Sequence, residues 1–388
     1  MSPPPFDFSP ESLDREFPVR RSVTYFNHAA VAPLPRRVSD AIVAHTQGVR
    51  DRGAADWRAW YEAIERTREK AAAFLGAWPS EIAFAPNTSL GLDLVARAFP
   101  FLPGDNVVGD DLEFPSNYFP WKLLEERRGV EFRPARGRDG RVTAADIEAR
   151  IDARTRVVAV SFVAFHNGFV YPLEEIGRLC RDRGILFVVD AIQGLGLVPL
   201  SLADDHGPDV VAADGHKWLL SAEGCGLLYV SERVRDLLPP PAAGWWNTIS
   251  GGNYLDHNLE FHRGARRYEP GTLPTASLAG LGAALDLLTA IGAETALARV
   301  LETVGALEAG LASLGWEIAT PRPLASGILA AIPPGGDARR LAKRFEQSGV
   351  IVAPREGAVR FSPHVGNDLA EVERILQIAR ELPGGPRP

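Results

Sequence analysis

Residues 185–229 read ILFVVDAIQGLGLVPLSLADDHGPDVVAADGHKWLLSAEGCGLLY, and two of their side chains are of kinds that do carbonyl chemistry together. Asp190 ends one apolar run, and Lys217 lies just past the end of another, with a glycine-flanked turn before a third. A carboxylate for a ring nitrogen, an amine for an aldehyde and backbone able to approach closely are what a pyridoxal phosphate site requires. The chain has four lysines against 38 arginines. Lys70, Lys122 and Lys343 fall in segments that read as exposed helix, whereas Lys217 sits in a loop after a strand. Arginine cannot replace it, because a guanidinium stays protonated and is a poor nucleophile. A chain that otherwise uses Arg for positive charge keeps Lys here for its amine.

The elements that must position these groups alternate along the chain. Apolar runs of four to seven residues at EIAFAP, DNVVGD, VEFRP, RVVAVSFV, ILFVVD, DVVAAD and GLLYV are separated by helical patterns, as in residues 36–52, 57–76, 144–151 and 173–183. That rhythm predicts an α/β fold, a mostly parallel seven-stranded sheet covered by helices on both faces. Sites in such sheets lie outside the carboxyl ends of the strands. Asn87, Phe114, His166, Asp190 and Lys217 all fall at or just beyond such ends. Asn87, Thr88 and Ser89 also open a helix, which makes either a plain N-cap or a phosphate cradle. From about residue 274 the pattern changes to long helices (276–291, 294–314, 337–348, 368–381) with short strands, GILAAIP and GAVRFSP, between them. The expected division is a large domain over residues 24–275 and a smaller α+β domain made of residues 276–388 and the N-terminal arm, 1–23.

Composition narrows the function. With 388 residues, 46% apolar and 23% charged, the chain is an ordinary globular enzyme by its proportions. A net charge of -7 offers no basic face, so a nucleic acid partner is not expected. The two cysteines, Cys180 and Cys225, cannot form a disulfide framework and favour a reducing, cytoplasmic setting. The start, MSPPPFDFSP, lacks the basic and apolar regions of a signal peptide. The longest apolar stretch, 276–293, is broken by Asp286 and glycines and reads as a buried helix, so no membrane partner is expected. A dinucleotide fingerprint is missing: GLGLVP puts Pro199 at the third glycine, and GCGLLY puts Tyr229 there. The eight histidines show no metal-binding spacing, so no metal is expected.

The motifs YFNHAAVAPLP, FAPNTS, EFPSNYFPW, DAIQ, DGHKWL followed by GCG, RRYEPGTLP and VRFSPHVGN together resemble the class V aminotransferase family of pyridoxal phosphate enzymes. That family includes cysteine desulfurases, isopenicillin N epimerase-like proteins and kynureninases. The resemblance implies fold type I, a homodimer with a shared active site and an α-amino acid substrate. It implies that Lys217 holds the cofactor and then shuttles the α-proton, and that Asp190 pairs with the pyridine nitrogen. Gln193 would bond the phenolic oxygen, Ala191 would pack beneath the ring, and Phe114 would stack on its outer face, where many relatives use histidine. Asn87, Thr88, Ser89 and His216 would hold the phosphate, and Thr272 would reach the phosphate of the neighbouring subunit. Arg360, in the R-x-S pattern, would clamp the substrate carboxylate, with Asn27, His28 and Arg355 around it.

Departures from the family pattern bear on the reaction. Asp214 stands where relatives commonly carry a phosphate-facing Ser, and an acid there is repelled unless turned away or paired. The VAFHNG segment has no obvious match for the Asn that touches the phenolic oxygen in relatives, since Ala164 or Phe165 cannot do that job, and His166 reads either as a group near the site or as a structural loop histidine. Cysteine desulfurases place a nucleophilic cysteine shortly before R-x-S, whereas this chain reads VAPREGAVRFS. Without that thiolate a lyase or aminotransferase outcome is favoured. Epimerisation, cysteine desulfuration or selenocysteine lyase-like chemistry, and a non-catalytic member of the fold are the alternatives. The aromatic stretch GWWNTISGGNY, 244–254, reads equally as a substrate wall or an interface.

Overall fold

The computed structural model describes residues 6–249 and 253–381; the first five residues of the arm, Ser250 to Gly252 of the aromatic stretch and the last seven residues lie outside them. A two-residue strand, Thr24–Tyr25 (β1), precedes the seven strands of the main sheet. These are Ile82–Ala85 (β2), Asn106–Asp110 (β3), Glu131–Ala135 (β4), Thr155–Ser161 (β5), Leu186–Asp190 (β6), Val210–Asp214 (β7) and Gly226–Val230 (β8). Their order is β2-β8-β7-β6-β5-β3-β4. All are parallel except β8, which runs antiparallel to both its neighbours, β7 and β2. The mostly parallel seven-stranded sheet expected from the apolar runs is therefore present.

Period-two alternation assigns the two faces. Val108, Val158, Val160, Phe187, Val189 and Val211 enter one core together with Ile64 and Ile176 of the helices Trp57–Leu75 and Leu173–Arg183. Val107, Val157, Ala159, Leu186, Val188 and Val210 enter the other with Leu92 and Trp121 of the helices Thr88–Ala98 and Phe119–Arg128. Both faces are dry, which is why the strands read as near-continuous apolar runs. The apolar helix Thr275–Ile291 is buried too, and no single helix among the described residues is long and apolar enough to cross a membrane.

A second sheet follows, made of Glu317–Ile318 (β9), Leu329–Ile332 (β10), Ala353–Arg355 (β12) and Ala358–Phe361 (β13), antiparallel and ordered β12-β13-β10-β9. Val350–Ile351 (β11) instead pairs in parallel with β1. The chain then continues beside Ser362: the His28 N–H donates to the Ser362 carbonyl at 3.0 Å, and the Ser362 N–H donates to that of Phe26 at 2.7 Å. Residues 24–28 are thus held against the small-sheet side. The N-terminal arm is fastened there as well, with Arg20 bonded to Asp14 and Asp368, each at 2.8 Å.

Candidate active site

Two adjacent parallel strands, β6 and β7, deliver the central pair. Asp190 is the last residue of β6; it is 3% exposed and accepts a 3.0 Å hydrogen bond from the Ile192 N–H. Burial pushes its carboxyl up to about 6, opposed by that hydrogen bond and by Lys217. β7 ends at Asp214, and a tight turn brings Lys217 around. The turn needs Gly215, where a Cβ would sit 2.7 Å from the Cys225 carbonyl oxygen. Burial lowers the Lys217 amine to about 8; Asp190 and Asp214 pull it back up, while Arg360 and Arg355 push it further down. Its Nζ lies 5.7 Å from the centroid of the Phe114 ring and makes no hydrogen bond or ion pair among the described residues. A buried amine this close to neutrality is poised to act as a nucleophile and then as a base.

The helix Thr88–Ala98 points its N-terminus at the same edge. It packs tightly on the sheet because Gly91 leaves room: a Cβ there would lie 2.9 Å from that of Ala212 on β7. Asn87 is its N-cap and accepts from the Leu90 N–H at 2.9 Å. The Thr88 and Ser89 N–H groups carry no partner among the described residues, which suits an anion. The Thr88 hydroxyl accepts from the Asp214 N–H at 2.9 Å, and the Ser89 hydroxyl meets that of Ser116 at 2.7 Å. The Asp214 carboxylate is turned away, accepting from the Gly215 N–H at 2.7 Å. Its other oxygen lies 2.9 Å from His216 Nδ1, in an ion-pair contact whose direction is poor for a hydrogen bond. Gln193 is fixed at both ends: its amide donates to the Ala29 carbonyl at 3.0 Å and accepts from the Trp218 indole at 2.9 Å. Ala191 is fully buried next to it.

A cationic wall comes from the small sheet. Arg360 on β13 is 1% exposed, and its Nη1 donates to the Phe165 carbonyl at 2.7 Å. Its Nε and Nη2 are buried without a partner. Burial first, and Arg355 second, lower it to about 9. Asn27 Oδ1 is likewise buried and unpartnered. His28 is spoken for: Nδ1 meets the Ser362 carbonyl at 3.0 Å, its ring lies 5.4 Å from that of His364, and burial lowers it to about 3. His166, beside Phe165, is lowered by burial while Glu356 acts in the opposite direction. Thr272 is not part of this cluster. It is exposed, on the rim of a largely apolar cavity of about 360 Å³ with Pro86, Leu90 and Leu273. Cys180 and Cys225 are buried, and burial raises both thiols, so neither presents a thiolate.

One acid went unnoticed in the sequence. Glu113, just before Phe114, is buried and accepts from the Ser161 hydroxyl at 2.6 Å and from the Ser161 N–H. Ser161 is paired in register with Asp190. Burial and the nearby Asp110 and Asp190 hold the Glu113 carboxyl well above the usual carboxylate range. One acid among the three of DDLEF makes no spacing pattern that singles it out; only its position after a strand end marks it.

Seven strands in this order, with the small antiparallel sheet beside them, are the architecture of fold type I. Among solved structures, the apo cysteine desulfurase of Thermococcus onnurineus superposes with a TM-score of 0.88 at 28% identity, covering 96% of this chain and 97% of that one. A probable cysteine desulfurase of Methanothermobacter thermautotrophicus is 30% identical over 96% of this chain and 98% of its own. The isopenicillin N epimerase of Amycolatopsis lactamdurans is 30% identical over 93% and 95%. The aminotransferase class-V family model matches residues 24–373. The chain belongs to the class V aminotransferase family of pyridoxal phosphate-dependent enzymes.

Proposed function

We propose that the protein is a pyridoxal phosphate-dependent lyase that acts on an α-amino acid by β-elimination, with Lys217 as the cofactor-bearing amine and the base. The observation that carries this reading is the buried Lys217 amine beside the buried Asp190 carboxyl on neighbouring strand ends, with the Phe114 ring next to it. The residues fit the cofactor: two unpaired N–H groups at a helix start suit its phosphate, and the orphaned donors of Arg360 suit a substrate carboxylate. When bound, the cofactor supplies an electron sink that acidifies the substrate's Cα–H. Asp190 would hold the ring nitrogen protonated by opposite charge. Lys217 takes the proton from Cα, and Arg360 fixes the carboxylate so that this bond faces the amine. Gln193 has one amide N–H left for the phenolic oxygen. Asn27 and His28 would border the substrate carboxylate, and Phe114 and Ala191 would pack against the ring.

Both thiols of the chain are buried and held protonated, so no enzyme cysteine receives sulfur. The substituent on Cβ therefore departs with its electron pair and leaves the site. A second copy of the chain, contributing Thr272 to the first copy's phosphate, belongs to the same proposal, and a dimer in sedimentation would support it. The central test mixes the cofactor-loaded protein with a panel of α-amino acids and identifies the products by mass spectrometry. Pyruvate with ammonia is the expected result. Oxo acid with pyridoxamine phosphate would make the protein an aminotransferase, inverted substrate an epimerase, and alanine with persulfide or sulfide a desulfurase. A Lys217→Ala protein that still forms the visible absorption band would overturn the assignment of the amine.

A further inference from the structure

Gln193 is held by two partners that leave its amide no choice of direction. The Trp218 indole N–H can only donate and the Ala29 carbonyl can only accept, so the 2.9 Å bond to the first fixes Oε1 and the 3.0 Å bond to the second fixes Nε2. Turning the amide over would lose both bonds at once. One N–H of Nε2 is left over, and its direction is set by the other two groups. The side chain is buried, so that N–H is kept for whatever enters the site.

Trp218 is held in its turn. Its ring is fully buried, and a glycine makes the room: a Cβ on Gly327 would lie 2.5 Å from the indole Cη2. His364 lies against the indole with ring centroids 5.7 Å apart and planes inclined by 29°. The Val365 N–H donates to His364 Nδ1 at 2.8 Å, which leaves the imidazole's own proton on Nε2, 3.3 Å from the Trp218 carbonyl oxygen. Burial lowers this imidazole to about 4, in keeping with a single proton. Lys217 directly precedes Trp218, so one braced loop carries the amine and also aims the amide.

We propose that Trp218 is a positioning residue: its indole N–H sets the Gln193 amide so that the free N–H, and not the oxygen, is offered to the phenolic oxygen of the bound cofactor. The proposal rests on the cofactor reading for what Gln193 faces, whereas the clamp itself is a matter of geometry. A donor at that place draws negative charge from the phenolic oxygen and loosens its hold on the proton of the nitrogen that joins Lys217 to the cofactor. An amide oxygen turned there would tighten it. The charged groups that bear on this nitrogen are Asp190 from β6, Asp214 from β7 and Arg355 and Arg360 from the small sheet, and all four stay the same whichever way the amide lies.

The clamp is read first without cofactor, in protein carrying isotope-labelled tryptophan. Of its eight tryptophans, the one whose indole N–H resonance is missing in Trp218→Phe is expected to shift in Gln193→Ala. With pyridoxal phosphate bound, the pH midpoint of the visible absorption band is expected to rise by about half to one unit in Trp218→Phe and in Gln193→Ala alike. The double variant is expected to match Gln193→Ala within about 0.3 unit, because Trp218 acts only through the amide. Benzothienylalanine placed at position 218 puts sulfur where the N–H was and keeps the ring's size, so it should give the same shift without opening a cavity. An unmoved midpoint in that protein, or shifts that add up in the double variant, would overturn the inference. If no visible band forms at all, the cofactor reading falls and the inference with it; if the band forms and its midpoint stays put, the inference alone falls.

Discussion

The Lys217 amine is held close to neutrality by its surroundings, with burial the largest cause. Burial lowers it to about 8 and Arg360 adds to the effect from a strand more than a hundred residues away. Only the neutral amine attacks an aldehyde, so the initial rate of colour formation with pyridoxal phosphate should rise with pH to a plateau, with its midpoint near 8. Arg360→Gln removes a repelling charge, raises the amine's affinity for its proton and should move that midpoint upward in stopped-flow traces. Glu113 titrates in the opposite sense. Its folded-state value is raised above its ordinary 4.5. It therefore contributes most to stability below 4.5, and that contribution is lost as pH rises toward its elevated value. Glu113→Gln keeps the shape and hydrogen bonds without the ionisation, so urea denaturation should find it gaining on the parent protein from pH 5 to 8. Glu113→Ala should lose roughly 1–3 kcal/mol by leaving Ser161 unpaired.

At the scale of elements, the seven main strands could be read because a sheet buried on both faces leaves continuous apolar runs. The short strands could not: β9, β11 and β12 have two or three residues each, too few to show a period, and β11 is fixed by pairing with β1, far away in the sequence. The glycines of GLGLVP looked like the start of a nucleotide fingerprint and turn out to be close-approach positions beside the lysine loop. A Cβ on Gly194 would lie 2.2 Å from the Phe162 ring, and one on Gly196, at φ +107°, would lie 2.2 Å from the Trp218 carbonyl oxygen. Trp218 follows Lys217 and holds Gln193. Gly196→Ala adds left-handed strain to a clash with backbone that has no rotamer to relieve it. It should cost at least 1–3 kcal/mol in thermal unfolding and weaken cofactor retention on dialysis. Gly224→Ala, also at positive φ but with nothing within 4 Å, should show the backbone cost alone.

Across the whole molecule, one buried ion pair joins parts that lie far apart along the chain. Arg68, on the helix Trp57–Leu75, meets Glu269 through two hydrogen bonds of 2.7 and 3.0 Å, and their side chains are 5% and 0% exposed. Arg68 Nη1 also donates to the Ile82 carbonyl at 2.8 Å, while Glu269 accepts from the Phe84 N–H at 2.8 Å. The pair thus locks a covering helix to β2, the edge of the main sheet, and to the segment that carries Thr272 three residues later. Neither residue falls in a local pattern with the other, since they are 201 positions apart. Glu269→Gln leaves the buried Arg68 with only the half-exposed Glu65, 3.1 Å away, as a counter-charge, so it should destabilise the protein by about 3 kcal/mol in urea denaturation. Replacing both by apolar residues of similar volume, Arg68→Met with Glu269→Leu, should recover most of that loss. If instead the double variant is as unstable as the sum of the two singles, the pair acts through its separate bonds to β2 and not through its mutual charge. In either case the segment bearing Thr272 loses its tether. A sedimentation run on Glu269→Gln, expected to show more monomer than the parent protein, connects this buried contact to the proposed shared site.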